Sequence, residues 1–74
     1  MQNTKTITID SSFITLGQLL KEEGIIPTGG AAKWFLREHD VKINGQLDNR
    51  RGKKLRAGDE VDIVGIEKIQ IESK

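Results

Sequence analysis

The chain contains no cysteine and no tyrosine, one histidine, one tryptophan and one proline in 74 residues. Without cysteine there is no disulfide framework and no thiolate metal site, and a reducing compartment is permitted though not required. The usual general bases and nucleophiles are equally scarce, which weighs against catalysis. No stretch approaches the ~20 apolar residues of a membrane span. The segment Met1 to Asp10 is polar and then alternating, without the apolar run of a signal peptide. A cytoplasmic protein with no membrane attachment is therefore expected. A domain of this size buries only ~60% of its unfolded surface, so a single thin core is expected and little volume for a water-excluding active site.

What the chain does have is polarised charge. The net charge is +1, yet residues 33–56 hold eight Lys or Arg against three acidic residues, a local balance of +5. Residues 1–32 balance at −1 and residues 57–74 at −3. A neutral chain with a basic middle steers an anionic partner towards one face.

Local patterns give a coarse structure. Thr6 to Ile9 alternates as a short strand. Thr15 and Gln18 have the spacing of a capping box, Ile14 and Leu19 that of a hydrophobic staple, and Leu16, Leu19 and Leu20 form a core-facing stripe. The spacing predicts a first helix over about 16–23, ended by Gly24 at the position after the cap. Gly17 weakens this helix but permits close packing. Ile25 and Ile26 should plug the core, and Pro27 stops the helix before it. Thr28 is the next N-cap candidate, for a second helix over about 29–39 with Ala32, Phe35 and Leu36 as its apolar stripe. Val41 to Ile43 alternates, Asn44-Gly45 signals a type I′ hairpin turn, and Gln46-Leu47 returns. Asp48 to Lys54 is polar and basic and is expected to be an exposed loop. Val61 and Ile63 mark one strand, and Ile69 and Ile71 a final one. Strand, two helices, then three or four strands predict an α+β domain, with two consecutive helices packed on a small, mainly antiparallel sheet of four or five short strands.

Few residues carry chemistry. His39 beside Asp40 could act as a general base, but a histidine at a helix C-terminus more simply serves the helix end. No carboxylates pair, no metal ligands cluster, and neither cofactor nor metal is expected. Gly29-Gly30 at the start of helix two could expose backbone N–H groups to a phosphate, or simply form a turn. Lys33 and Arg37 lie four apart on one helical face, Arg50, Arg51, Lys53 and Lys54 form the densest basic run, and Arg56 extends it. Trp34 is expected in the core, with base stacking as the alternative. Such cations give affinity for phosphates rather than sequence choice.

Four blocks together carry a resemblance. Leu16-Gly17-Gln18-Leu19-Leu20-Lys21 with Gly24-Ile25-Ile26, then Gly29-Gly30-Ala31-Ala32-Lys33, Val41-Lys42-Ile43-Asn44-Gly45 and Gly58-Asp59-Glu60-Val61 resemble the S4 domain across about residues 13–64. The segments Ala31–Leu36 and Arg50–Leu55 look closest to the stand-alone bacterial S4-like proteins of the YaaA type. The resemblance implies an RNA-binding domain that recognises structured RNA, ribosomal or transfer RNA, possible association with the ribosome, and a basic face made of Lys33 and Arg37, Lys42 on the hairpin, and the Arg50–Lys54 loop. Many S4 domains carry a Ser-Arg pair just before the second helix. Thr28-Gly29-Gly30 stands here instead, which removes one RNA-contacting arginine and leaves Lys33 to compensate. Larger proteins attach the domain to a catalytic one, for which these residues have no room, so a monomeric, non-catalytic binder is expected. RNA of this kind is read mainly by shape and phosphate positions.

Two other readings compete. A strand, the first helix and Gly58-Asp59-Glu60-Val61 also resemble small β-grasp sulfur carriers, but those end in Gly-Gly whereas this chain ends Glu72-Ser73-Lys74. An adaptor whose basic face meets an acidic protein is the other reading.

Overall fold

The computed structural model describes residues 3–74. The Met1 and Gln2 part of the leader reading lies outside the described residues. In chain order the elements are β1 (Asn3–Ile9), β2 (Ile14–Thr15), α1 (Leu16–Glu22), a 3-10 turn (Gly29–Ala31), α2 (Ala32–Glu38), β3 (Val41–Ile43), β4 (Gln46–Leu47), β5 (Lys54–Leu55), β6 (Glu60–Ile63) and β7 (Glu67–Ser73). Five strands make one sheet in the order β1-β7-β6-β3-β4. All its neighbours are antiparallel except β1 and β7, the first and last strands, which run parallel with Ile7 opposite Ile71. β2 and β5 form a separate two-stranded ribbon.

The local signals explain the element ends. Thr15 Oγ1 accepts the Gln18 N–H at 3.3 Å, and Gln18 Oε1 accepts the Thr15 N–H at 3.0 Å, so the capping box closes reciprocally. At the other end of α1, Gly24 adopts φ +73°. Its N–H donates to the Lys21 carbonyl and the Ile25 N–H to the Leu20 carbonyl, both at 3.0 Å, which is the Schellman arrangement. Helix one is therefore one residue shorter than the pattern implied, with Glu23 as its cap. Asn44 and Gly45 both have positive φ, 53° and 86°, as a type I′ turn requires.

Helix two differs more from its expected span. Residues 29–31 form the 3-10 turn and the α-helical part is confined to Ala32–Glu38. Thr28 has extended backbone but makes no side-chain cap hydrogen bond. The turn is closed by backbone alone, with the Ala31 N–H donating to the Thr28 carbonyl at 3.1 Å. Consecutive glycines at 29 and 30 carry no side chains to hold a regular helical turn, and Pro27 fixes the approach.

The helices cover one face of the sheet. Leu16, Leu19 and Leu20 from α1 and Ala32 and Leu36 from α2 are buried with Val41, Ile43, Val61, Ile63, Ile69 and Ile71 from the strands. Ile26 is buried among them and Ile25 packs against them, so the linker does plug the core. Among the described residues no polar side chain is fully buried. The opposite face of the sheet is polar: alternation along β3 and β6 puts Lys42 and Asp62 opposite one another there. Lys5 points to the helix side, where its Nζ lies 2.8 Å from Glu23 Oε1 and ties β1 to the end of α1.

Two expectations fail. Asp48–Lys54 is not wholly an exposed loop, because Lys54 begins β5 and Leu55 after it is completely buried against Ile14. Trp34 is not in the core and is 61% exposed. The buried stripe of α2 runs through Ala32 and Leu36, four apart, and Trp34 sits two positions from each, on the opposite side of the helix.

Candidate nucleic-acid interface

The basic segment between β4 and β5 is held by backbone. The first N–H groups of a helix have no partner within it. In α1 they donate to this loop: Leu16 to the Lys53 carbonyl and Gly17 to the Arg51 carbonyl, each at 2.9 Å. A side chain at Gly17 would be crowded here. A Cβ at that position would stand 3.3 Å from the Arg51 carbonyl oxygen and 3.6 Å from the Ala32 Cβ. The glycine in the first turn thus lets the loop lie against α1 while α1 lies against α2. Leu55 pegs the far end of the loop into the core. At the near end Asp48 accepts three hydrogen bonds from Arg50, from its backbone N–H at 2.9 Å, from Nε at 3.1 Å and from Nη2 at 2.8 Å. The Arg50 side-chain bonds hold the Asp48 carboxyl below the usual carboxylate range, against the opposing push of partial burial.

A cleft opens between α2 and this loop. It has a volume of about 350 Å³ and is lined by Lys33, Leu36 and Arg37 from the helix and by Asn49 and Arg51 from the loop. Three cations stand around an apolar floor, with no carboxylate among the described residues that line it. A second cleft of about 470 Å³ lies on the hairpin side of the loop. It contains Arg50, Lys53, Lys54 and Arg56, but also Asp48 and Asp59. Asp48 is bound to Arg50, and Asp59 accepts the Arg56 N–H at 2.8 Å and the Asn44 side-chain N–H at 3.0 Å. Those bonds, the Arg56 backbone N–H first, hold the Asp59 carboxyl low and therefore charged. The first cleft is thus the more attractive to an anion, and its guanidinium forks suit bidentate contact with phosphate oxygens.

The basic residues read from the sequence divide accordingly. Lys33, Arg37 and Arg51 meet in one cleft although they come from two separate groups in the chain. Arg50, Lys53, Lys54 and Arg56 gather in the other, where the Lys54 ammonium also lies 5.0 Å from the centre of the Phe13 ring. Lys42 lines neither, since it projects from the far face of the sheet. Gly29 and Gly30 are exposed on the 3-10 turn and line neither cleft. Sequence reasoning missed Asn49, and it missed the carboxylates that neutralise the second cleft. The Asn44-Gly45 signal pointed to the hairpin but not to the clip it makes, in which Asn44 Oδ1 accepts the Glu60 N–H at 2.9 Å. His39 lies outside both clefts, stacked on Phe35 with 4.4 Å between ring centres.

A family model described as the S4 domain matches residues 7–72. The chain belongs to the S4-domain family. The match extends beyond the 13–64 stretch that carries the four sequence blocks, because it takes in the end of β1, from Ile7 to Ile9, and most of β7. This S4 domain is 54% identical over 65 residues to the Bacillus subtilis (strain 168) protein named "Probable ribosome maturation protein RlbA", covering 88% of this chain and 92% of that one. It is also 33% identical over 60 residues to tyrosine–tRNA ligases of Burkholderia lata and Burkholderia thailandensis. Those matches cover 81% of this chain but only 14% of each ligase. The S4 family is an RNA-binding family, and the near full-length relative is itself a stand-alone S4 protein. Among the described residues, no helix is long and apolar enough to cross a membrane.

Proposed function

We propose that this S4 domain binds structured RNA, ribosomal RNA in the first instance, through the cleft between α2 and the Asp48–Leu55 loop, and that it serves ribosome maturation as a cytoplasmic, monomeric, non-catalytic factor. The observation that carries this reading is the convergence of Lys33, Arg37 and Arg51 on one cleft without an opposing carboxylate. Arg50, Lys53, Lys54 and Arg56 add a second, partly neutralised set of phosphate contacts, and Lys42 and Gly29-Gly30 contribute least. Support for the ribosomal assignment comes from the name of the relative that matches over nearly its full length. Similarity to a small part of tyrosine–tRNA ligases makes transfer RNA the competing ligand.

The test is a filter-binding titration of the protein against ribosomal RNA fragments and transfer RNA across a salt series. Log affinity should fall linearly with log salt, with a slope of roughly −0.7 to −0.9 for each phosphate neutralised. Replacing Lys33, Arg37 and Arg51 together by glutamine should weaken binding and reduce the slope by about one per residue removed. Unchanged affinity in that variant sinks the proposed cleft. Tighter binding of transfer RNA than of any ribosomal fragment reverses the ligand assignment. A protein partner that stays bound in a pull-down after RNase treatment supports the protein-adaptor reading instead.

A further inference from the structure

Among the charged residues on the exposed side of α2 stands one large aromatic side chain. Trp34 is 61% exposed, although it is the largest apolar side chain in the protein and the fold has an apolar core within one helical turn of it. It does not stand alone. The guanidinium carbon of Arg37 lies over its ring, 5.3 Å from the centroid. Arg37 is also a wall of the basic cleft, beside Lys33 and facing Arg51. The indole is thus backed by a cation that belongs to the cleft, and most of the residue stays open to solvent.

We propose that Trp34, backed by Arg37, is a stacking platform for a single unpaired nucleobase whose flanking phosphates lie in the cleft. The proposal rests on the RNA-binding reading above and adds to it what the cations cannot supply. Lys33, Arg37 and Arg51 hold any phosphate backbone of suitable shape, paired or not. An indole face accepts only a base that is out of its stack. The platform therefore makes the domain select helices interrupted by a bulge, a loop or a frayed end. An arginine laid on the far face raises the interaction, because it polarises the ring and keeps it from turning. Tryptophan with arginine is also common at the centres of protein interfaces. Here, however, the surroundings are cationic, and the other large exposed apolar residues, Leu47, Val64 and Ile66, do not line the cleft.

The experiment uses the full chain and two short RNA hairpins whose stems are closed by a non-nucleotide linker in place of a loop, one fully paired and one identical but for a single unpaired 2-aminopurine in the stem. Non-specific phosphate contacts suffice for measurable binding of both. The native protein should bind the bulged hairpin about 5- to 150-fold more tightly than the paired one, the range that base–aromatic stacking supplies. Binding should quench both the Trp34 emission and the 2-aminopurine emission. Trp34→Ala should lower affinity for the bulged hairpin to that for the paired one and leave the salt slope unchanged. Trp34→Phe should keep most of the preference. Because the side chain is exposed, both variants should melt within a few degrees of the native protein. Equal affinity of the native protein for the two hairpins overturns the platform while leaving the RNA-binding reading standing. A preference that survives in Trp34→Ala also overturns it and makes a protein partner the reader of this aromatic. Failure to bind either hairpin at low salt removes both readings.

Discussion

Leu55 and Leu47 are eight residues apart in a segment whose sequence reads as turn and basic loop, yet the fold treats them oppositely. Leu55 is 0% exposed and Leu47 is 65% exposed. Leu55→Ala deletes three buried carbons. At ~0.8 kcal/mol each, the transfer loss alone is about 2.4 kcal/mol, and the unfilled cavity brings the total to about 3 kcal/mol or more. A domain with ~0.05–0.15 kcal/mol of stability per residue has only about 4–11 kcal/mol at this length. The substitution therefore removes a large share of it. For a domain of this size each kcal/mol shifts the melting temperature by ~4–8 °C, so a drop of about 12–24 °C is expected. Leu47→Ala should change it by less than about 4 °C, since exposed substitutions stay within ~0.5 kcal/mol. Circular dichroism melts of both variants, with urea titrations to confirm an unchanged slope, are the assay. A Leu55→Ala variant that melts within about 5 °C of the native protein would refute the claim that this residue pegs the basic loop to the core.

Three further outcomes are expected. Asp48 and Asp59 both titrate below the ordinary carboxylate value, Asp48 chiefly through the Arg50 side chain and Asp59 chiefly through the Arg56 N–H, so the unfolded chain binds more protons and stability rises with pH. Their contribution is complete above about pH 4 and fades as the pH falls through the lowered folded values; urea midpoints measured down to about pH 2 should show this acid loss, and a shallower loss in Asp59→Asn. Gly17→Leu should destabilise the protein by about 1–3 kcal/mol, because a side chain there meets the Arg51 carbonyl and Ala32, and amide exchange at Leu16 should accelerate as the loop lifts. Asn44→Ala should cost about 1–3 kcal/mol by removing the clip to Asp59 and Glu60 and placing alanine at φ 53°, whereas Asn44→Gly, which keeps the backbone freedom, should cost less in a denaturant melt.

Several of these sites were legible in the chain. The capping box at Thr15 and Gln18, the glycine stop at position 24 and the Asn44-Gly45 turn all formed as their residue types require. Each depends on contacts between residues no more than five apart, so neighbours in sequence suffice. The alternation of Val41 and Ile43 about Lys42 already implied that Lys42 faces away from the core, and therefore away from the helices. Its grouping with the helix-side cations came from the family likeness and not from that pattern. Leu55 was not legible, because a two-residue strand has no period, and its partner Ile14 lies on the far side of both helices in the sequence. Trp34 was misread because its size suggested burial, while its position two residues from Ala32 and Leu36 argued for the surface.

By itself the sequence determined the order of the two helices and the main strands, the N-terminal cap and glycine stop of α1, the α+β class and the concentration of positive charge in the middle of the chain. These follow from backbone preferences, from the reach of neighbouring side chains and from composition. The tertiary structure decided the rest. It paired the first strand with the last, seated the Arg50–Lys54 run on the free N–H groups of α1, and divided the cations between a cleft with carboxylates and one without. Those outcomes depend on which distant segments share space once the apolar faces are buried. Burial rewards any close packing of such faces, so charge position relative to a cleft is a consequence of the packing and not of the local pattern.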